Sequence, residues 1–297
     1  MLIGNRKIKE EIVTALVFNI KKKKELAYLA DGFVEEAIKR HLSQNAKVVS
    51  FLSGVFSERS SAYKQIVKEV RNELRRVHGL YKIQQDILKR RELFEQLLQI
   101  KVGDERFLEL HQKILKTHSS TRERLPFYGS LYTQLFKVTG KPKRIIDLGS
   151  GINPFSIPLM GLGGVEYFAY DISDDEITLL REYFQFFSKV NPKIKGKAEI
   201  LDLLQWEKVK KLKRFDLCFL WKMTDMLDRT SGHKVSEQVI VNIPAKFVVV
   251  SFPTFTVSGK PMNQPRRKWI ELMCERLGFE YKIIKEKNEI FYVVRKR

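Results

Sequence analysis

"RIIDLGSGINPF", Arg144 to Phe155, decides the reading of this chain. A short apolar run ends in Asp147, two glycines flank Ser150, and Asn153–Pro154 follows. β-branched residues running into a glycine turn predict a strand that stops where its backbone must bend sharply and approach a ligand closely. Downstream, "VEYFAYD", "KAEILD", "FDLCFLW" and "KFVVVSF" repeat the pattern of a short β-rich run ending near a polar or special residue. Helical stretches lie between them, notably "DDEITLLREYFQFFSKV", where Ile177, Leu180, Phe184 and Phe187 share a face. Such alternation predicts a parallel, doubly wound α/β sheet. The end differs, because "FEYKIIKE" and "EIFYVVRKR" flank "KN" and predict an antiparallel hairpin.

Ligands of open α/β sheets bind at the carboxyl ends of the strands, which is where Asp147, Gly149 and Gly151 are expected. A dinucleotide site wants G-x-G-x-x-G opening into a helix. Here Ile152, Asn153, Pro154 and Phe155 follow Gly151 with no third glycine in that spacing, which argues against a nicotinamide dehydrogenase. A zwitterionic amino-acid ligand needs no pyrophosphate cradle, and Asp147 would suit a cationic one. Asp171 ends the second strand twenty residues after Gly151, where an acid can accept from both ribose hydroxyls or cap the helix after it. Asp202 ends the third, beside an adenine or as another cap. Five parallel strands and a terminal hairpin are the layout of an S-adenosylmethionine-dependent methyltransferase.

Upstream, residues 1 to 112 read as successive helices. "KELAYLADGFVEEAIKRHL" places Leu26, Leu29, Phe33, Ala37 and Ile38 at helical spacing. "AYKQIVKEVRNELRRVHGLY" does so with Ile66, Val70, Leu74 and Val77 and stops at Gly79, and "QQDILKRRELFEQLLQI" supplies another helix. The chain carries 55 Lys and Arg against 35 Asp and Glu, a formal charge of +20 that calls for a polyanionic partner. Arg71, Arg75 and Arg76, then Lys89, Arg90 and Arg91, and finally Arg266 and Arg267 are the expected RNA contacts. Two cysteines, Cys218 and Cys274, sit in apolar patterns and read as buried thiols, supporting neither a disulfide framework nor a zinc site. No metal is expected. No leader or spanning run of roughly 18 apolar residues is visible, so a cytosolic protein without membrane association is expected.

Taken in order and spacing, "HSSTRERL" (His118–Leu125), "DLGSGINPF", "FAYDI", "LDLL", "LWKMTDMLD" and "VVVSFPT" resemble the aminoglycoside-resistance 16S rRNA guanine-N7 methyltransferases. The resemblance covers residues 115 to 297. It implies a Rossmann-like class I methyltransferase sheet with an antiparallel C-terminal hairpin (residues 113–297), preceded by an all-helical, basic, rRNA-docking domain (1–112), acting on the small ribosomal subunit; a monomer is expected. It implies that Arg124 binds the carboxylate of S-adenosylmethionine, with His118 in the same segment, and that Gly149, Gly151 and Asn153 border the methionine portion. It also implies that Asp171 and Ile172 meet the ribose, and that Asp202 and Leu203 border the adenine. Trp221 and Lys222 match the family's "FK" pair with tryptophan replacing phenylalanine. Ser251, Phe252, Pro253 and Thr254 correspond to the segment beside the target base. Read physically, Ser120-x-x-Glu123 is also a capping box.

Guanine N7 carries a lone pair and no proton, so no general base is assigned. Trp221, Phe252 and Phe255 could stack on a target base or belong to the core. After "SFPT" the chain departs from the family's glycine-rich loop with "FTVSGKPMNQPRRKW", which leaves the target nucleotide open. Two alternatives stand beside this reading: methylation of another rRNA or tRNA base such as adenine N1, and a non-catalytic RNA-binding protein of the same fold.

Overall fold

The computed structural model describes every residue except 4–5, 44–48, 50–51, 53–56, 79–83, 101–103, 229–231, 257–258 and 297, and omits the side chains of 76–78 and 84–86. The chain divides into two compact units, Met1–Gln84 with Ile172–Asp175, and Gln85–Asp171 with Glu176–Arg297.

In the first unit, two-residue strands β1 (Leu2–Ile3) and β2 (Arg6–Lys7) pair antiparallel ahead of helices Glu10–Lys21, Asp31–Ser43 and Ser61–His78. Each buries one apolar stripe: Ile12, Leu16 and Ile20 on the first, Phe33, Val34 and Ile38 on the second, Ile66, Val70 and Leu74 on the third. The helix expected across residues 24–42 is broken. Lys24–Leu26 forms one 3₁₀ turn, and a new helix starts at Asp31. The intervening backbone is diverted into pairing, since Leu29 bridges Ser173 and the Ala30 N–H donates to the Ile172 carbonyl at 3.1 Å. The expected stop at Gly79 lies outside the described residues.

The second unit is built on a seven-stranded sheet: β3 (Arg144–Leu148), β4 (Val165–Asp171), β5 (Ile194–Ile200), β6 (Phe215–Trp221), β7 (Ala245–Pro253), β8 (Glu280–Lys285) and β9 (Glu289–Arg295). Their order is β5-β4-β3-β6-β7-β9-β8, with β9 antiparallel to β7 and to β8 and the remaining pairs parallel. This is the class I methyltransferase layout that the hairpin predicted. Strand order reverses at β3, so the crevice for a ligand opens beyond its carboxyl end.

Central strands are apolar almost throughout, as strands covered on both faces must be. Ile145, Leu217, Phe219 and Val249 face one layer of the core; Ile146, Cys218, Leu220 and Val248 face the other. Cys218 and Cys274 are both fully buried thiols. The compact units divide at Gln84/Gln85 rather than at residue 112. Phe94, Leu97, Leu110 and Ile114 belong to the same buried cluster as Ile152, Phe155 and Tyr183, which places helices Gln84–Leu98 and Arg106–Leu115 with the sheet. Each such side chain contributes about 1.5–3 kcal/mol by leaving water.

Candidate active site

The glycine turn after β3 is held by the strand beside it. The N–H groups of Gly149 and Ser150 both donate to the Tyr170 carbonyl, at 2.9 and 3.0 Å, and Gly151 N–H donates to Asp171 Oδ2 at 2.8 Å. Gly149 and Gly151 have φ of 70° and 48°, left-handed values that favour glycine. A Cβ on Gly149 would also lie 2.3 Å from Met223 Sδ, whereas one on Gly151 would meet only the His118 ring, at 3.8 Å.

Below the turn, Asp147 is buried and committed. Its Oδ2 accepts from Tyr167 OH at 2.6 Å and from Asn153 Nδ2 at 2.8 Å, while Asn153 Oδ1 accepts from Tyr128 OH at 2.8 Å. Burial raises the Asp147 pKa to about 6, against the opposing effect of those two donors. Asp147 and Asn153 therefore fix the shape of the turn through their own hydrogen bonds. The turn leads into a 3₁₀ helix, Asn153–Leu159, with Pro154 in its first turn, and this replaces the α-helix that a dinucleotide would need. Sequence reading missed Tyr128 and Tyr167, whose hydroxyls lie within otherwise apolar patterns.

Arg124 closes the short helix Ser119–Arg124. No capping box forms there. His118 is the N-cap without a side-chain cap bond, Ser120 Oγ lies 3.1 Å from His118 Nδ1, and Glu123 accepts from Lys222 Nζ at 2.5 Å. The Arg124 side chain is 3% exposed. Its Nε donates to both carboxylate oxygens of Glu289, at 3.0 and 3.1 Å, and its guanidinium lies 4.8 Å from the centre of the Trp221 ring. Burial disfavours the charge, but the fully buried Glu289 carboxylate outweighs it and raises the pKa, so Arg124 stays cationic. Its Nη2 is buried and has no hydrogen-bond partner. Glu289 is marked in the sequence only as an acid at the head of an otherwise apolar strand. Ser251 Oγ also donates to Glu289, and Lys222 Nζ lies 3.5 Å from it. Lys222 adopts φ 56°, its N–H donating to the carbonyl and hydroxyl of Ser251.

The remaining expected residues separate. Asp171 ends β4 and receives the Gly151 amide. Asp202 makes a turn: its Oδ1 accepts from Leu204 N–H at 2.9 Å and its carbonyl from Gln205 N–H at 3.0 Å, while Gln205 is the N-cap of the next helix. Leu203 is buried, and Ile172 groups with the first unit. The stacking role open to Trp221 and Phe252 is corrected, because both are core side chains, 6% and 1% exposed. Trp221 packs against Tyr128, Tyr132, Phe219 and Phe291; Phe252 meets Trp269 and Tyr292 edge-on. Phe255, beyond β7, is half-buried. Pro253 ends β7, and Thr254 N–H donates to the Asn288 carbonyl at 3.0 Å.

A sheet of this order, with a tethered glycine turn at its switch point and a buried arginine beside it, agrees with what known proteins show. Residues 48–293 match the family described as ribosomal RNA methyltransferase (FmrO). The chain belongs to that family. A Proteus mirabilis protein named 16S rRNA (guanine(1405)-N(7))-methyltransferase is 28% identical over 250 residues, 78% of this chain and 84% of its own length. A Frankia casuarinae protein of the same name is 26% identical over 187 residues, 62% of this chain and 63% of its own. Among solved structures, the 16S rRNA methyltransferase RmtF in complex with S-adenosyl-L-homocysteine aligns over 97% of this chain and 100% of its own, with TM-score 0.72 and 22% identity. The 16S rRNA methylase RmtB aligns over 98% and 100%, with TM-score 0.69 and 17% identity. At these identities the likeness establishes the fold.

The basic residues of this FmrO-family chain also sort by environment. Arg90 is corrected: it is 4% exposed and donates to Thr117 Oγ1 (2.8 Å), Glu176 (3.1 Å) and the Thr117 carbonyl (3.2 Å), so it is a structural residue out of reach of RNA. Lys89 is exposed; Arg91 is paired with Glu182, and Arg266 makes a two-pronged contact with Glu271. Arg267 lies over the Phe252 ring and donates to two loop carbonyls. In the first unit Arg71 donates to the carbonyls of Asn19 and Ile20, and Arg75 pairs with Glu25 at 2.8 Å. Both line an open groove of about 430 Å³ with Lys23, Lys64, Lys68 and Tyr63. The Arg76 side chain lies outside the described residues.

Proposed function

We propose that the protein transfers a methyl group from S-adenosylmethionine to N7 of a guanine in 16S-type rRNA, acting in the cytosol on the small ribosomal subunit as a monomer without a metal. The observation that carries this reading is the family match across residues 48–293, on a chain whose glycine turn, Asp171 and Arg124 gather at the switch point of the sheet. The proteins named for guanine-N7 methylation are the relatives that supply the target atom.

The residues suit the donor. The buried, unpartnered Nη2 of Arg124 is a positive donor without an acceptor, which a carboxylate would complete. Gly149 lets the turn keep its left-handed bend, with Met223 packed closer than a Cβ would allow. Asp171 would accept from the ribose hydroxyls, and the segment at Asp202–Leu203 would border the adenine. When bound, S-adenosylmethionine supplies a methyl group on a sulfonium, open to in-line attack.

Nothing on the chain needs to remove a proton, because N7 presents a lone pair. Lys222 is held by Glu123 and Glu289 and would serve to shape the site. The work left to the protein is alignment and exclusion of water. N7 is hard to reach inside an A-form helix, so the base must leave its stack at a cost of a few kcal/mol. Phe255 and the loop after it, with Arg266 and Arg267, would receive it. The groove lined by Lys23, Lys64, Lys68, Arg71 and Arg75 would hold phosphates, positioning the enzyme without reading sequence.

The test is methyl transfer from labelled cofactor to small subunits, free rRNA and tRNA in parallel, with mapping of the modified nucleotide. Label at a single guanine N7 of small-subunit rRNA is expected, together with raised aminoglycoside resistance in a susceptible host. Label in tRNA or on adenine would give the target to the alternative, and no label with no cofactor binding would leave an RNA-binding protein.

A further inference from the structure

Trp221 stands where the family resemblance expects phenylalanine, and the exchange adds one polar atom, the indole Nε1–H. That atom is buried and has no hydrogen-bond partner. A buried donor left unmade destabilises the fold, and buried tryptophans usually find an acceptor. Phenylalanine would fill the aromatic cluster at this position without that penalty, so packing does not explain the tryptophan.

A second orphan belongs to the side chain stacked on this ring. The Arg124 guanidinium sits 4.8 Å from the Trp221 ring centre, and its Nη2 is also buried without a partner. The neighbouring acid cannot serve both. Glu289 already accepts from Arg124 Nε and Ser251 Oγ, with Lys222 Nζ at 3.5 Å. Two unmatched donors on stacked side chains, one charged and one neutral, suit one acceptor with several lone pairs. A carboxylate has two oxygens and about four such sites, enough for both donors.

We infer that the Trp221 indole N–H is a second donor to the carboxylate of the methyl donor, completing with Arg124 Nη2 a two-point clamp on its amino-acid end. This rests on the reading of the site as the S-adenosylmethionine site and adds to it a contact that phenylalanine cannot make. Discrimination follows. The clamp favours S-adenosylmethionine and S-adenosylhomocysteine over adenosine thioethers that lack the carboxylate.

The experiment is calorimetry on the full chain with two probes, S-adenosylhomocysteine and 5′-methylthioadenosine, for the wild type and Trp221→Phe. The expected result is a loss of about tenfold in affinity for S-adenosylhomocysteine, one hydrogen bond to a charged acceptor, with 5′-methylthioadenosine binding unchanged. Equal binding of both probes by the two proteins would overturn the clamp, and so would an equal loss for both probes, which marks a packing defect. If the wild type binds neither probe, the cofactor reading itself falls. The wild-type protein gives a second readout that no variant can spoil. Of the signals of its three tryptophan indoles, one should shift with S-adenosylhomocysteine and stay in place with 5′-methylthioadenosine. No such signal would contradict the inference.

Discussion

Arg90 and Arg124 are both buried in the sheet unit, and both face a buried glutamate, yet they are built differently. Arg90 spends its guanidinium entirely within the protein: Nε on the Thr117 hydroxyl, one Nη on Glu176, the other on the Thr117 carbonyl. Arg124 commits Nε to Glu289 and leaves Nη2 unmatched, as is the Nε1 of the Trp221 ring it stacks on. A satisfied buried cation is a structural tie, holding helix Gln84–Leu98 to the Thr117 turn and to Glu176. An unsatisfied one, on the proposed reading of Arg124, is an incomplete site awaiting an acceptor. Between these two arginines, buried charge alone does not tell the tie from the proposed binding group; hydrogen-bond completeness does.

The largest effects should come from breaking either pair. Arg90→Met and Arg124→Met each strand a buried glutamate, and urea unfolding should show each losing about 3–5 kcal/mol. A loss confined to Arg124→Met would mean that the Arg90 tie is dispensable and the contrast misdrawn.

His111 sharpens the comparison, because both ring nitrogens are engaged, with the Phe107 carbonyl at 2.7 Å and Tyr183 OH at 3.2 Å. Burial lowers its pKa to about 4, against the Phe107 carbonyl. The fold therefore keeps it neutral while the unfolded chain takes up a proton below about pH 6.5. Its stabilising contribution is full above that pH and is lost as pH falls towards 4, by up to about 3 kcal/mol. Asp147 acts in the opposite sense, since its raised pKa favours the fold at low pH and loses that advantage as pH rises through about 6. Comparing the pH dependence of unfolding of His111→Gln with that of the wild type isolates the histidine. Identical acid slopes would remove it from the account.

Smaller effects separate the two glycines. Gly149→Ala should cost about 1–3 kcal/mol, from its left-handed backbone and from displacing Met223, and should weaken cofactor binding. Gly151→Ala, whose Cβ would make only ordinary contact with the His118 ring at 3.8 Å, should cost nearer 1 kcal/mol. Thermal unfolding ranks them, and the reverse order would contradict the assigned crowding.

The smallest effect belongs to exposed charge. Replacing Lys64 and Lys68 with alanine should leave stability within about 0.5 kcal/mol of wild type. It should flatten the salt dependence of small-subunit binding by about one unit of slope for each phosphate no longer neutralised. An unchanged slope would take the groove out of RNA docking.

Much of this was legible in the sequence. Strands Arg144–Leu148, Val165–Asp171 and Phe215–Trp221 fall where the apolar runs stood, because runs covered on both faces are short, β-branched and bounded by turn residues. The glycine turn and Asp171 were legible because backbone geometry and strand-end position constrain residue type. What stayed hidden depends on partners distant in sequence. Arg90 looked like one more basic residue on a charged helix, and only the fold brings Glu176 and Thr117 to it. Glu289 lies 165 residues from Arg124, and no local pattern announces their pairing. The break at Leu29–Ala30 came from pairing with residues 172–173, a tertiary demand that helical spacing does not record.

The contrast between the two arginines is most directly tested by titrating S-adenosylhomocysteine into Arg90→Met and Arg124→Met under conditions where both remain folded. The account predicts wild-type affinity for Arg90→Met and a loss of about 100-fold or more for Arg124→Met, the worth of a charge-assisted contact at a desolvated site. Equal affinities in the two variants, whether retained or lost together, would contradict it.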